Sequence, residues 1–183
     1  GIELLAEDVS GGGVSLAQQA KDALTEVLIK GRVGLLADFP VNAEGVSKAD
    51  MLTGGVRPTV RLYQAESIIN WRTVTVGAIT KLSLVVLSET YTKADDGYKE
   101  ECGEQLLILR LNDDGLAESE VVRKTDNGWV SQGINKITDN SGKQLDTLPF
   151  LFAGSENNDE VIDDSPIYDI AQINIAHFRT SAD

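Results

Sequence analysis

The chain has very few side chains that bind metals or form covalent bonds. Among its 183 residues there is one cysteine, Cys102, and one histidine, His177. This excludes an intramolecular disulfide framework, a thiolate cluster and a multi-histidine zinc site. No apolar run approaches the roughly 18 residues of a membrane-spanning helix, and no basic segment followed by an apolar stretch opens the chain. We therefore expect a soluble protein of a reducing compartment.

Positive charge is also scarce. Sixteen Lys and Arg stand against 29 Asp and Glu, which gives a formal net charge of -13. Affinity for nucleic-acid phosphates comes from Lys and Arg that release counterions. The charge therefore argues against a protein that grips DNA, although DNA can still pass along such a protein. Apolar residues make up 42% of the chain, an ordinary value for a globular protein, so we expect a packed core.

The first well-signalled element is a helix followed by a strand. Ser15 is a candidate N-cap, and Gln18 three residues later completes the capping-box pattern. Gly31 is placed to end the helix as its C′ residue. Residues 32–37 then read as a short buried strand. The apolar residues of the helix follow helical spacing and form one stripe: Leu16, Ala20, Ala23, Leu24, Val27 and Leu28.

Residues 40–58 contain three glycines and two prolines with little periodicity, so a long surface loop is expected over 41–58. From Thr59 onward, short strands alternate with turns. Residues 82–91 and 105–111 are rich in aliphatic and β-branched side chains, as strands are. The turns are marked by Asp-Gly and related pairs, which favour tight hairpins: Asp95-Asp96-Gly97, Asp113-Asp114-Gly115, Asp126-Asn127-Gly128 and Asn140-Ser141-Gly142. This predicts an antiparallel meander.

The C-terminal part is predicted to contain a strand, an acidic loop and a helix. Residues 148–153 form an apolar strand whose Pro149 suits a sheet edge. Ser165 and Pro166 are predicted to cap and open a helix. This helix is apolar nearly all round and has no stop signal before Asp183, so we expect it to pack against a partner and to continue in a longer protein. The acidic loop carries Glu156, Asp159, Glu160, Asp163 and Asp164.

Together these elements predict an α+β fold in a single domain over 1–183. Its parts are a helix–strand unit (1–40), a loop (41–58), a β-rich meander (59–153) and an acidic loop with a C-terminal helix (154–183).

Candidate chemical sites are weak. Gly11-Gly12-Gly13 has Leu16 where a dinucleotide-binding motif needs glycine, so we interpret this segment as a flexible entry to the helix.

Cys102 and His177 form a conceivable nucleophile–base pair, but carboxylates beside Cys102 disfavour the thiolate, and His177 lies among apolar residues. The acidic loop could bind a cation weakly; we favour a solvated loop in which Asp163 and Asp164 complement the dipole of the following helix.

Three aromatic residues could form a stacking platform for nucleic acid. Tyr63, Trp71 and Trp129 could stack bases, but such sites lie in basic grooves. Residues 59–148 carry 10 Lys and Arg against 14 Asp and Glu, a net charge of -4. We therefore expect these aromatic side chains to lie in the core or in an interface.

Four stretches together resemble a family of tailed-phage and prophage proteins that is similar to phage portal proteins. They are residues 20–40, 63–72, 148–158 and 165–183, and the last, SPIYDIAQINIAHFRTSAD, is the most specific. The resemblance covers most of the chain, and its motifs are architectural rather than catalytic.

The resemblance implies a subunit of a ring, typically of twelve copies, at one vertex of the capsid in the virion, with assembly in the bacterial cytoplasm. DNA would pass through the ring, driven by a terminase motor, and capsid and tail or connector proteins would attach to it. This chain would be a wing fragment whose last helix leads to the stem. No catalytic residue, cofactor or metal is implied. The expected subunit contacts are Ile167, Ile170, Ile173, Asn174 and Phe178. The alternatives are a small-ligand or cation-binding β-rich domain and a hydrolase.

Overall fold

The computed structural model describes residues 2–38, 57–95, 97–139 and 141–182. Contacts along the chain group it into two units, the first formed by Gly1–Ala65 with Phe150–Asp183 and the second by Glu66–Pro149. Each unit has its own antiparallel sheet. The predicted α+β class is confirmed. That the chain is a single domain stays a prediction.

Within the described residues, the first unit contains three helices and a three-stranded sheet. The helices are α1 (Ile2–Glu7), α2 (Leu16–Lys30) and α3 (Tyr168–Ala182). The strands are β1 (Arg32–Asp38), β2 (Thr59–Gln64) and β8 (Phe150–Gly154). Their order is β2-β1-β8, so β1 is central and pairs antiparallel with both neighbours. The short helix α1 has no counterpart in the sequence prediction.

The ends of α2 follow from local chemistry. The hydroxyl of Ser15 accepts a hydrogen bond from the Gln18 N–H at 3.2 Å, as an N-cap does. Gly31 adopts φ 81° and its N–H donates to the Val27 carbonyl, which ends the helix. The predicted capping box is only half formed, because the Gln18 side chain donates instead to Asp22, one turn further on.

The face that α2 turns inward differs from its apolar stripe. Gln19 is buried, and its amide donates to the Val60 carbonyl of β2 at 2.6 Å. By contrast, Leu16, Leu24 and Leu28 of the stripe are exposed. The Gln19 bond marks the side of α2 that faces the sheet, and the leucines of the stripe point outward.

The core of the first unit lies around β1 and β8. Val33 and Leu36 of β1 are buried, as are Phe150 and Phe152 of β8. The two phenyl rings meet edge to face, with centroids 5.2 Å apart, an arrangement that aromatic pairs favour. Tyr63 of β2 is also buried.

The second unit is a five-stranded meander in the order β3-β4-β5-β6-β7. A short 3₁₀ turn at Ala65–Ser67 leads into it. Its strands are β3 (Ile68–Val76), β4 (Ile79–Asp95), β5 (Glu100–Leu111), β6 (Ala117–Thr125) and β7 (Gly128–Lys136). The predicted antiparallel meander is thus confirmed. Its buried side chains include Val85, Leu87, Leu107 and Leu109.

The predicted turn glycines do adopt the left-handed conformation. Gly97 and Gly115 lie between successive meander strands and Gly128 is the first residue of β7; their φ values lie between 75° and 111°. Gly142 has φ 80° but follows β7, inside a loop closed by the bridge between Thr138 and Gln144. Asp96 and Asn140 of these turns lie outside the described residues. The β3–β4 turn was not predicted, because Gly77-Ala78 lacks the Asp or Asn that marked the others.

The predicted block 59–153 is divided between two sheets. Only residues 68–136 belong to the meander, whereas β2 and β8 pair with β1. The buried central strand β1 needs a hydrogen-bonded neighbour on each side, and these come from distant parts of the sequence. β8 lies at a sheet edge as predicted, and Pro149 precedes it. The predicted loop 41–58 lies outside the described residues except for its last two residues.

Candidate functional site: the C-terminal helix and its anchoring loop

Helix α3 exposes its apolar side chains. The five predicted contact residues all lie on the surface. Ile170, Ile173 and Phe178 are 66%, 70% and 75% exposed, Ile167 is 38% exposed, and Asn174 is also exposed. Every side chain from 168 to 181 is in the exposed class. A helix with this much apolar surface is expected to be covered by a partner.

The exposed apolar side chains are not confined to one side of the helix. Ile167, Ile170, Asn174 and Phe178 follow one face at helical spacing, whereas Ile175 extends the apolar surface beyond it. Asn174, Ile175, Phe178 and Arg179 line a shallow, open depression. The helix therefore offers an extended apolar surface rather than an enclosed pocket. That these residues contact other subunits stays a prediction.

The beginning of α3 differs from the sequence prediction. The helix starts at Tyr168, whose N–H donates to the Ser165 carbonyl at 3.0 Å. Pro166 lies in the turn before the helix. The Ser165 hydroxyl does not cap α3; it donates to the carbonyl of Leu28 in the last turn of α2, at 2.8 Å. The C-terminal carbonyls of a helix lack intrahelical partners, and Ser165 satisfies one of them.

Asp163 organises the acidic loop. Its Oδ2 accepts hydrogen bonds from the N–H groups of Glu156 (2.8 Å) and Asn157 (3.0 Å). The predicted role of Asp163 at the start of the following helix is therefore wrong: its carboxylate binds backbone N–H groups of the loop. Ser155 adds two bonds, from its N–H to Gly31 and from its hydroxyl to Asp164.

A buried arginine lies beneath this loop. Arg32, the first residue of β1, is 3% exposed, and its guanidinium carbon lies 4.0 Å from the centre of the Phe152 ring. Burial lowers the pKa of Arg32, and the negative charge of Asp163 opposes this. The N–H groups of Glu156 and Asn157 lower the pKa of Asp163; burial raises it, and Arg32 adds to the lowering. The loop is thus held by hydrogen bonds and by charge.

In the glycine-rich segment 11–13, backbone N–H groups bind the side-chain carboxylate of Asp8. Asp8 Oδ1 accepts hydrogen bonds from the N–H groups of Gly11 and Gly13, each at 2.9 Å, and Asp8 forms an ion pair with Arg57. Burial raises the pKa of Asp8, but Gly13, Arg57 and Gly11 together lower it. The backbone donors that a phosphate would need are occupied, so this segment has a structural role.

The other two sequence candidates, Cys102 and His177, belong to different units. Cys102 is exposed on β5 of the second unit, and His177 is exposed on α3 of the first. Across residues 2–38, 57–95, 97–139 and 141–182, no three His, Cys, Asp or Glu side chains are grouped so that they could hold a metal ion.

The three aromatic candidates lie in different settings. Tyr63 is buried with Arg61 over its ring, and Trp71 is half-buried. Trp129 is exposed, with the Lys124 ammonium 6.0 Å from its ring centre. Tyr63 fits the expected core position; the other two are surface or partly covered side chains.

Sequence reasoning missed the anchoring residues Arg32 and Asp163. One signal was available: an arginine at the start of a buried strand needs a carboxylate or an aromatic face nearby. Which acid would supply it could not be read from the sequence, because five acidic residues occur between 156 and 164.

The chain matches no protein-family model and no curated protein. In the part of the chain that the structure describes, no helix is long and apolar enough to cross a bilayer.

Proposed function

We propose that this chain is a structural subunit, resembling part of a phage portal protein, in a ring at the capsid vertex through which DNA is packaged and ejected. The observation that carries the proposal is the exposed apolar surface of α3, led by Ile170, Ile173 and Phe178. Covering such a surface is favourable in water, and repeated copies of one subunit can cover it in a closed ring.

The charge of the chain supports the same function. With a net charge of -13 it repels the phosphate backbone, and a channel wall that does not retain DNA lets the DNA slide. The terminase motor, the capsid and tail or connector proteins are the partners that this function requires. The virion is the corresponding location. In this proposal the chain has no catalytic residue and no cofactor.

The anchoring loop gives the proposal a structural basis. The bonds from Ser155 to Gly31 and from Ser165 to Leu28 tie both ends of the acidic loop to the junction of α2 and β1. A helix that starts from a fixed junction presents its apolar surface in a defined direction, as an assembly contact needs.

The experiment is a mass measurement of the intact phage protein by native mass spectrometry and electron microscopy. We expect a ring of about a dozen subunits, and replacing Ile170, Ile173 and Phe178 together with Glu should abolish it. The matched control is Gln172→Glu, an equally exposed polar position on α3. Because the replaced side chains are exposed, the circular dichroism of the monomer should not change. A strictly monomeric intact protein would contradict the proposal.

The cation-binding alternative is tested separately. A cation that binds only the folded chain raises its melting temperature by mass action. We expect no rise with millimolar Ca²⁺ or Mg²⁺, because Asp163 already accepts two backbone hydrogen bonds. If the melting temperature does rise and Asp159→Asn abolishes the rise, the cation-binding alternative is favoured. Loss of a measured hydrolase activity on Cys102→Ser would favour an enzyme instead.

A further inference from the structure

The paired part of the β3–β4 hairpin, residues 68–87, contains no acidic residue, although β4 continues to Glu89 and Asp95. No Asp or Glu occurs between Glu66 and Glu89, and this is the longest acid-free stretch of the sequence. The charged residues within it are Arg72 and Lys81. In a protein with a net charge of -13, the hairpin is therefore a local positive region.

The tip of this hairpin is apolar and exposed. Val76 and Ile79 face each other across the Gly77-Ala78 turn and are 60% and 69% exposed, and Val74 is exposed beside them. Exposed β-branched side chains are ordinary when scattered, but a cluster at a projecting tip marks a contact surface.

The hairpin is held in one conformation. The hydroxyls of Thr75 and Thr80 lie 3.1 Å apart across the strands, and the Ser83 hydroxyl donates to the Arg72 carbonyl at 3.2 Å. Lys81 donates to the Asp146 carbonyl at 2.6 Å. A preformed tip loses little conformational entropy on binding.

The acidic loop also combines exposed apolar side chains with charged ones, but its charge is negative. Val161 and Ile162 are 62% and 60% exposed. Exposed carboxylates of Glu156 and Asp159 precede them in the loop. The loop is itself held by Asp163, so it too is preformed.

We propose that the β3–β4 hairpin of one copy docks on the acidic loop 156–164 of a second copy. Val76 and Ile79 would cover Val161 and Ile162, and Arg72 would face the loop carboxylates. The two surfaces are different, so the contact is heterologous and repeats head to tail, which closes into a ring when the rotation permits. This inference rests on the proposed self-assembly and names a pair of surfaces within it.

The first test is disulfide trapping between single-cysteine variants in a Cys102→Ser background. Ile79→Cys and Val161→Cys are made in chains of different isotopic mass and mixed under mild oxidation. We expect the mixed 79–161 disulfide to exceed both homodimers by several-fold. Tyr98→Cys, at the fully exposed turn after the opposite end of β4, is the matched control for Ile79→Cys. Equal yields from positions 98 and 79 would overturn the proposal.

The second test reverses the charges. Arg72→Glu should weaken association of the intact protein about two- to five-fold, as loss of an exposed ion pair does. Glu156→Arg in the other copy should restore it. Both side chains are exposed, so folding should not change. Absence of any rescue, with folding intact, would overturn the pairing.

The outcomes separate this inference from the proposed function. If rings form and need α3, but neither trapping nor rescue occurs, the hairpin–loop contact is wrong and the ring proposal stands. If the intact protein is strictly monomeric, both are wrong. A third outcome is that the protein binds vesicles of anionic lipid, that Arg72→Glu abolishes this binding, and that no 79–161 disulfide forms. This outcome would assign the hairpin tip to a membrane and overturn the proposed contact.

Discussion

The carbonyl oxygen of Asp163 occupies the space into which a side chain on Gly31 would project. A Cβ built on Gly31 would lie 2.1 Å from that oxygen, far inside van der Waals contact. Gly31 also adopts φ 81°, a conformation that other residues rarely adopt. One residue therefore ends α2 and makes room for the loop that leads to α3.

Gly31→Ala should destabilise the first unit by about 2–4 kcal/mol, from left-handed strain and a clash with backbone that cannot swing aside. Gly115→Ala is the matched control, because Gly115 has φ 75° with open space around its missing Cβ. It should cost about 1 kcal/mol. Urea denaturation measures both; equal losses would show that Asp163 does not restrict Gly31.

Asp163→Asn should loosen the acidic loop. The amide can still accept from Glu156 and Asn157, but the charge that strengthens these bonds and balances buried Arg32 is lost. We expect the melting temperature to fall by several degrees and proteolysis between 155 and 164 to accelerate. Asp164→Asn changes the same charge at an exposed neighbour and should have little effect. Similar effects of both substitutions would refute the role of Asp163.

Lowering the pH should destabilise the fold, because the carboxylate of Asp163 becomes protonated. The folded-state pKa of Asp163 is lowered, so its contribution to stability is complete above the unfolded value of about 3.9 and is lost as the pH falls through the lower folded value. Melting temperatures measured from about pH 5 down to about pH 2.5 should therefore decrease. In Asp163→Asn the decrease should be smaller; an unchanged slope would contradict the prediction. Asp8 and Asp139, whose pKa values are also lowered, account for part of the remaining slope.

The Tyr91 ring covers Gly103 on the paired strand, and the Arg123 guanidinium lies 4.2 Å from the ring centre. A Cβ on Gly103 would lie 2.5 Å from the ring, but a tyrosine ring can swing away. Gly103→Ala should therefore cost about 1 kcal/mol or less, well below Gly31→Ala. In a Tyr91→Ala background it should stabilise by up to about 1 kcal/mol, since alanine suits a strand better than glycine. A double-mutant cycle measures the coupling, and additivity would exclude the contact.

Signals that act over a few residues were readable from the sequence. The Ser15 cap, the Gly31 stop and the turn glycines Gly97, Gly115 and Gly128 depend on backbone conformation within one turn, which residue type alone restricts. The meander follows from these turns, because each of them joins adjacent antiparallel strands.

Pairings between distant segments were not readable. β8 joins β1 rather than the meander, and α2 turns Gln19 inward although its leucines form the stripe. Several aliphatic strands could have paired with β1, and the sequence does not rank them. For the candidate site, the apolar character of α3 and the five predicted contact residues could be named from the sequence, but their exposure could not.

The sequence by itself determined the two ends of α2 and three of the four meander turns, and that the chain is acidic and short of reactive groups. Only the tertiary structure decided that Asp163, among five acids of one loop, lies with buried Arg32, and that Ser165 binds Leu28 instead of capping its own helix. The reason is that local conformation depends on neighbours along the chain. The partner of a buried charge or a free carbonyl is instead whichever group the fold brings within bonding distance.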